Sequence, residues 1–265
     1  ERDEESDDAQ RESQLPELLR VAFYPTELAL NPLYSFTTTE AQIFTALFEG
    51  LVSYNPLTLE PAPAVAERWQ VSPDGRTYTF YLREDARYWN GDSVTAEDFR
   101  ATWLQLLDPS RESAYSFLFD IIEGAESYRN GENPDPDSLA VRALGEKVLE
   151  VTLTNAASHF LRILCHHSFV PVHQSVRAIE EWGEFKTIPG NGPYYIEERE
   201  EGAITLKRNA VYWDAESVQI PEIELLFPEA EPERISERFN GGEFHWVTGG
   251  MSLANVEYQD TIVIN

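Results

Sequence analysis

Lysine, cysteine and methionine are all scarce in this chain of 265 residues. Only Lys147, Lys186 and Lys207 are lysine, Cys165 is the single cysteine, and Met251 is the single methionine. One cysteine excludes an internal disulfide and leaves the redox compartment open. No run of about 18 apolar residues occurs, so no segment reads as a membrane-spanning helix. There is no G-x-S-x-G, no H-E-x-x-H, no phosphate-binding loop and no dinucleotide fingerprint, which removes the commonest signatures of hydrolases, zinc proteases and nucleotide enzymes. No internal repeat of fixed period is present. Positive charge is also short: 20 Lys and Arg stand against 47 Asp and Glu, for a formal net charge of -27. That balance argues against nucleic acid and anionic membrane surfaces as partners. It leans weakly toward cationic ligands, and a host-wide acidic surface accounts for it equally well.

What is present is ample for a core. Hydrophobic residues make up 42% and aromatics 12%, and the length suits one large or two ordinary domains. The first 17 residues carry eight acids against two arginines. Such a stretch cannot bury itself, and residues 1–17 read as a disordered acidic tether of the kind left when a leader or lipid anchor is removed or omitted.

The tract from Pro61 to Trp103 holds the densest signals. Ser72-Pro73-Asp74-Gly75 is a turn, in which Asp74 bonds its own backbone and Gly75 supplies a positive φ. Thr77 to Leu82 (TYTFYL) is a strand with Tyr78, Phe80 and Leu82 on its core face. Trp89 to Asp92 is a second turn. Thr95 caps a helix whose first turn carries Glu97 and Asp98, and Phe99, Thr102, Trp103 and Leu106 recur at helical spacing.

Elsewhere the pattern predicts strands over Leu18–Ala22, Leu139–Leu144, Val148–Leu153, 194–200, 203–209, 220–227 and 261–265. Helices are predicted over 40–50, within 110–119, over 124–129, within 171–182 and over 232–240, with Thr38 or Thr39 capping the first and Gly50 ending it. Residues 189–193 form a rigid bend. Strands and helices interleave irregularly, so the fold class is α/β, with a mixed α+β character.

Seven ordered boxes carry a family resemblance. They are Leu47-Phe48-Glu49-Gly50-Leu51, Pro63-Ala64-Val65-Ala66-Glu67-Arg68-Trp69, Asp74-Gly75 with Thr77-Tyr78 and Phe80, Asn90-Gly91-Asp92 with Val94 to Asp98, Leu149 to Leu153, Asn191-Gly192-Pro193-Tyr194, and Arg208-Asn209 with Tyr212-Trp213. Together they resemble the oligopeptide- and dipeptide-binding receptors of bacterial ABC importers, solute-binding protein family 5. The resemblance implies a periplasmic-binding-protein-like lobe, here about 18–50 and 170–265, with an inserted β-rich subdomain over 51–169. It implies that the second lobe is absent, so that the chain is an N-terminal fragment giving one side of a ligand cleft. Main-chain hydrogen bonds are each worth only about 1 kcal/mol net, so half a clamp is expected to bind weakly.

The same resemblance implies an extracytoplasmic, non-catalytic protein, in the periplasm or at the cell surface, either free or lipid-anchored. Its partners would be a peptide or other small solute and the importer's membrane subunits. No cofactor is implied. The alternative is a one-lobed surface lipoprotein or scaffold that binds a protein partner. Ligand-contact candidates are Phe36, Thr37, Thr38 and Thr39 along a peptide backbone, Tyr115 from the inserted domain, and Gly249 and Gly250 after a box in which His245 replaces the usual acid. Trp246 is the best candidate for an exposed aromatic. Helix capping accounts for the threonines equally well.

Cys165-His166-His167 is the one cluster with metal-ligand character. Read as a strand, its histidines point to opposite faces and cannot share an ion. Asn133, Asp135 and Asp137 mimic the start of a calcium loop, but Ser138 and Leu144 stand where a glycine and an acid belong. Neither a metal nor a catalytic site is assigned.

Overall fold

The computed structural model describes residues 16–111, 113–179, 182, 187–249, 252 and 256. Strand β1 (Leu18–Ala22) leads through an irregular stretch to helix α1 (Thr38–Leu47). Strands β2 (Val52–Tyr54) and β3 (Pro61–Pro63) form a hairpin, followed by β4 (Ala66–Val71), β5 (Thr77–Leu82) and helix α2 (Ala96–Leu106). A 3-10 turn over Ser116–Ile121 precedes α3 (Ala125–Arg129), β6 (Val141–Gly145) and β7 (Val148–Thr152). Next come α4 (Phe160–Leu164), α5 (Gln174–Arg177), β8 (Tyr194–Glu200), β9 (Ala203–Arg208), β10 (Glu222–Leu226), α6 (Pro232–Asn240) and β11 (Trp246–Val247).

Contacts divide the chain into two compact units, one of Glu27–Ile196 with Asn209–Ala215, the other of Glu1–Thr26, Glu197–Arg208 and Glu216–Asn265. In the larger unit an antiparallel sheet runs β4-β5-β7-β6, and α2 packs against β6 and β7. Alternation along β5 and β7 buries Tyr78, Phe80 and Leu82 and then Leu149 and Val151. A fully buried aromatic cluster lies under α2: Trp103 meets Phe119 and Phe169 edge-on, and Phe119 stacks on Phe169 with ring centroids 4.0 Å apart. The Trp103 indole N–H donates to the Phe169 carbonyl at 3.2 Å, so the ring's one polar atom is satisfied. At the start of α2 the Thr95 hydroxyl accepts the Asp98 N–H while Asp98 accepts the Thr95 N–H, a reciprocal capping box.

In the smaller unit a mixed sheet runs β11-β1-β10-β9-β8, with β1 parallel to both β10 and β11 and β10 antiparallel to β9. Ala22, Ile235 and Phe244 form its core beneath α6. His245, which stands where the resemblance leads one to expect an acid, accepts the Arg20 N–H through Nδ1 at 2.9 Å and donates its own N–H to the Arg20 carbonyl.

Several expectations need correction. Helix α1 is capped by Thr37, whose hydroxyl accepts the Glu40 N–H, not by Thr38 or Thr39, which lie inside the helix; it ends at Phe48, before Gly50. The helix expected within 110–119 is a 3-10 turn over Ser116–Ile121. Among the described residues, the helix expected within 171–182 is one turn, Gln174–Arg177. Helix α4 was not anticipated at all. The expected strand 261–265 lies outside the described residues.

Candidate functional site

The Tyr115 phenol and the Phe36 carbonyl meet at 3.4 Å on the wall of a pocket of about 1060 Å³, formed wholly within the larger unit. Helix α1 supplies one side through Thr38, Ala41, Phe44 and Thr45, and the preceding loop adds Phe36 and Thr37. The stretch around α4, from His159 to His167, supplies another side. The hairpin contributes Val52, Ser53, Tyr54 and Pro56.

The loop before α1 is held firmly. Glu40 is buried and accepts the Leu30 N–H at 2.8 Å and the Thr37 hydroxyl at 2.9 Å. Leu30 sits at φ 54, a strained conformation for a branched residue that this hydrogen bond helps to hold. Phe36 is 70% exposed at the loop's tip. Among the described residues the N–H groups of Phe36, Thr37 and Thr38 donate to no partner.

Cys165, His166 and His167 are not a strand, which corrects the sequence reading. Cys165 caps the end of α4 and His166 caps a 3-10 turn, and the two imidazoles lie together, centroids 4.2 Å apart. Tyr115 meets both rings edge-on, at 4.5 and 5.4 Å. The Ser168 N–H donates to His166 Nδ1. Burial, reinforced by neighbouring His167, depresses His166 to about 4, and burial also lowers His167. Burial pushes the Cys165 thiol up to about 11. Among the described residues no group of three or more His, Cys, Asp or Glu side chains is arranged to hold a metal ion.

At the C-terminal end of α1, Glu49 closes the pocket floor. Its Oε2 accepts the Trp213 indole N–H at 2.7 Å, and its Oε1 accepts the Tyr212 hydroxyl. Its backbone N–H and C=O are both bonded to the Asn191 side chain, at 3.1 and 2.9 Å. The Arg83 guanidinium lies over the Trp213 ring at 3.6 Å. Burial raises the Glu49 carboxyl to about 7, opposed by the Tyr212 and Trp213 hydrogen bonds and by Arg83, and aided by Asp214. Arg162, which lines the pocket, donates from Nη2 to both carboxylate oxygens of Glu60, at 2.6 and 2.7 Å.

Of the residues singled out by sequence, Phe36, Thr37, Thr38 and Tyr115 line this pocket together. Thr39 does not line it. Trp246, 49% exposed, and Gly249 belong to the smaller unit, where Gly249 borders a separate crevice of about 220 Å³; Gly250 lies outside the described residues. Glu49, Tyr212 and the imidazole pair were not chosen as ligand contacts. Glu49 and Tyr212 stood inside the quoted boxes, which was the available signal.

Residues 60–262 match the family described as bacterial extracellular solute-binding proteins, family 5 Middle. The dipeptide-binding protein DppE of Bacillus subtilis is 35% identical over 198 residues, 74% of this chain and 36% of that protein. The periplasmic oligopeptide-binding protein OppA of Escherichia coli is 35% identical over 232 residues, 85% of this chain and 42% of that protein. Among solved structures, the murein tripeptide-binding protein MppA of Escherichia coli superposes with a TM-score of 0.80 at 29% identity, covering 88% of this chain and 46% of that one. Haemophilus influenzae OppA in complex with the peptide RPPGFSPFR gives 0.80 at 28% identity, covering 90% and 47%. The chain thus spans less than half the length of each of these proteins.

Proposed function

Because this chain belongs to the bacterial extracellular solute-binding proteins of family 5, we propose that it supplies one wall of the oligopeptide cleft of an extracytoplasmic receptor serving an ABC importer. The observation that carries this reading is the loop before α1. It is fixed by Glu40, it borders the pocket, and the N–H groups of Phe36, Thr37 and Thr38 have no partner among the described residues. Backbone carbonyls of a ligand can accept from these N–H groups, which gives affinity without reading side chains. Relatives named for dipeptide and oligopeptide binding support the ligand class.

In this reading Phe36, Thr37, Thr38 and Tyr115 contact ligand in the pocket of the larger unit, and no step is catalytic. The test is calorimetric titration of a mixed-sequence pentapeptide pool into this chain and into the protein as it occurs in its source cells. Saturable binding to the native protein, weaker for this chain alone, is the expected result. A native protein that binds no peptide yet retains a protein partner would replace this reading with that of a surface scaffold.

A further inference from the structure

The net charge of -27 suggests a receptor for cationic ligands, but the pocket is built differently. We propose that this wall selects ligands with uncharged aromatic or aliphatic side chains and rejects lysine, arginine, aspartate and glutamate at the position seated against it. The inference rests on the peptide-binding reading and narrows it to a substrate class.

The two wall side chains able to carry charge besides the histidines and the thiol, Arg162 and Glu49, each already have a partner. Arg162 holds both oxygens of Glu60. Glu49 has one oxygen filled by Tyr212 and the other by Trp213, and Arg83 lies over the Trp213 ring. A ligand ammonium at Glu49 would have to share an oxygen already committed to Tyr212 or Trp213 and would be buried to reach it. The nucleophilic and basic groups are neutral as well: burial keeps His166 and His167 uncharged and Cys165 a thiol at neutral pH. What remains facing the cavity is largely ring and hydrocarbon, with Phe36, Phe44, Tyr115, Leu118, Ile163 and Val170 among the lining. Away from the N–H groups at the start of α1, seating a charge against such a surface strips its water and returns no partner. An aromatic side chain finds edges and faces in the Tyr115–His166–His167 cluster instead.

The experiment is a titration of Ala-Ala-X-Ala-Ala peptides, with X as Phe, Leu, Lys or Glu, into the native protein, its Thr45→Glu variant and this chain. Thr45 lines the pocket from the exposed face of α1, so a carboxylate there adds charge to the wall without disturbing the core. The Phe and Leu peptides should bind about tenfold or more tightly than the Lys and Glu peptides, the discrimination open to a site whose polar groups are spoken for. Thr45→Glu should raise the affinity of the Lys peptide and lower that of the Glu peptide. Equal binding of all four peptides, or preference for Lys, overturns the inference and leaves the peptide-binding reading standing. A Phe preference that Thr45→Glu leaves unmoved also overturns it, because the selectivity then comes from elsewhere. Absence of binding by every peptide overturns both.

Discussion

Glu49 and Trp213 are 164 positions apart in sequence and joined by a 2.7 Å hydrogen bond from the indole N–H to the carboxylate. With Tyr212 on the other oxygen and Asn191 on the Glu49 backbone, three separate sequence boxes converge on one buried residue. Those boxes therefore act together as the joint between the end of α1, the bend at 189–193 and the segment 209–215.

The joint makes stability depend on pH. The Glu49 carboxyl sits at about 7 in the folded chain against an ordinary 4.5. A folded value above the unfolded one means stability is full below the unfolded value and declines as pH rises through 7. The decline amounts to roughly 3 kcal/mol by pH 8. In Glu49→Gln, the amide oxygen still accepts from Trp213 and the amide nitrogen donates to Tyr212, so the joint survives without the charge. Urea midpoints at pH 5 and pH 8 should show a smaller fall for Glu49→Gln than for the parent. Parallel pH profiles would show that Glu49 is not the titrating group.

A methyl group placed on the 189–193 bend should break the same joint. A Cβ at Gly192 would lie 2.6 Å from the Ala46 carbonyl oxygen and 2.7 Å from the Phe48 nitrogen, both rigid backbone. At Gly145 a Cβ would meet nothing within 4 Å. Gly192→Ala should lower stability by about 2 kcal/mol or more, since backbone cannot give way, whereas Gly145→Ala should change it by less than about 0.5 kcal/mol. Equal melting temperatures for the two variants would contradict the close approach.

Removing the cap of α2 gives a third expectation. Thr95→Ala deletes the hydroxyl that accepts the Asp98 N–H and donates to Asp98 Oδ2. The loss should be about 1 kcal/mol in chemical denaturation. Thr95→Ser, which keeps the hydroxyl, should recover most of it.

Trp103→Ala should be far worse. The ring is fully buried among Phe99, Phe119 and Phe169, and its indole N–H is bonded to the Phe169 carbonyl. A loss of about 3–5 kcal/mol is expected from the cavity and the orphaned carbonyl. A midpoint within experimental error of the parent would mean that the cluster is not part of the cooperative core.

Local chemistry made much of the fold legible. The alternation of Tyr78, Phe80 and Leu82 and the spacing of Phe99, Thr102, Trp103 and Leu106 predicted the faces that are buried. The Thr37 cap was also readable, because Thr37 and Glu40 have the spacing of a capping box; three adjacent threonines obscured it. Helix α4 gave too little to read, having five residues and no side-chain cap. The pairing of His166 with His167 depends on the junction between α4 and the next 3-10 turn, and two-residue periodicity assumes a continuous strand instead. The roles of Glu49, Tyr212 and Trp213 were hidden because the boxes reveal their meaning only once the chain has brought them together.

The placement of the tryptophans has an optical consequence. Trp103 and Trp182 are sealed from solvent, Trp69, Trp89 and Trp213 are half-buried, and Trp246 on β11 is half open to it. Emission from the folded chain is therefore a sum of two shielded blue-shifted signals, three partly accessible ones and the most accessible, red-shifted signal of Trp246. A quencher acts most strongly on Trp246 in the smaller unit, less on the half-buried Trp69, Trp89 and Trp213 and least on Trp103 and Trp182, provided that it is neutral: iodide would be repelled by a chain of charge -27, whereas acrylamide would not.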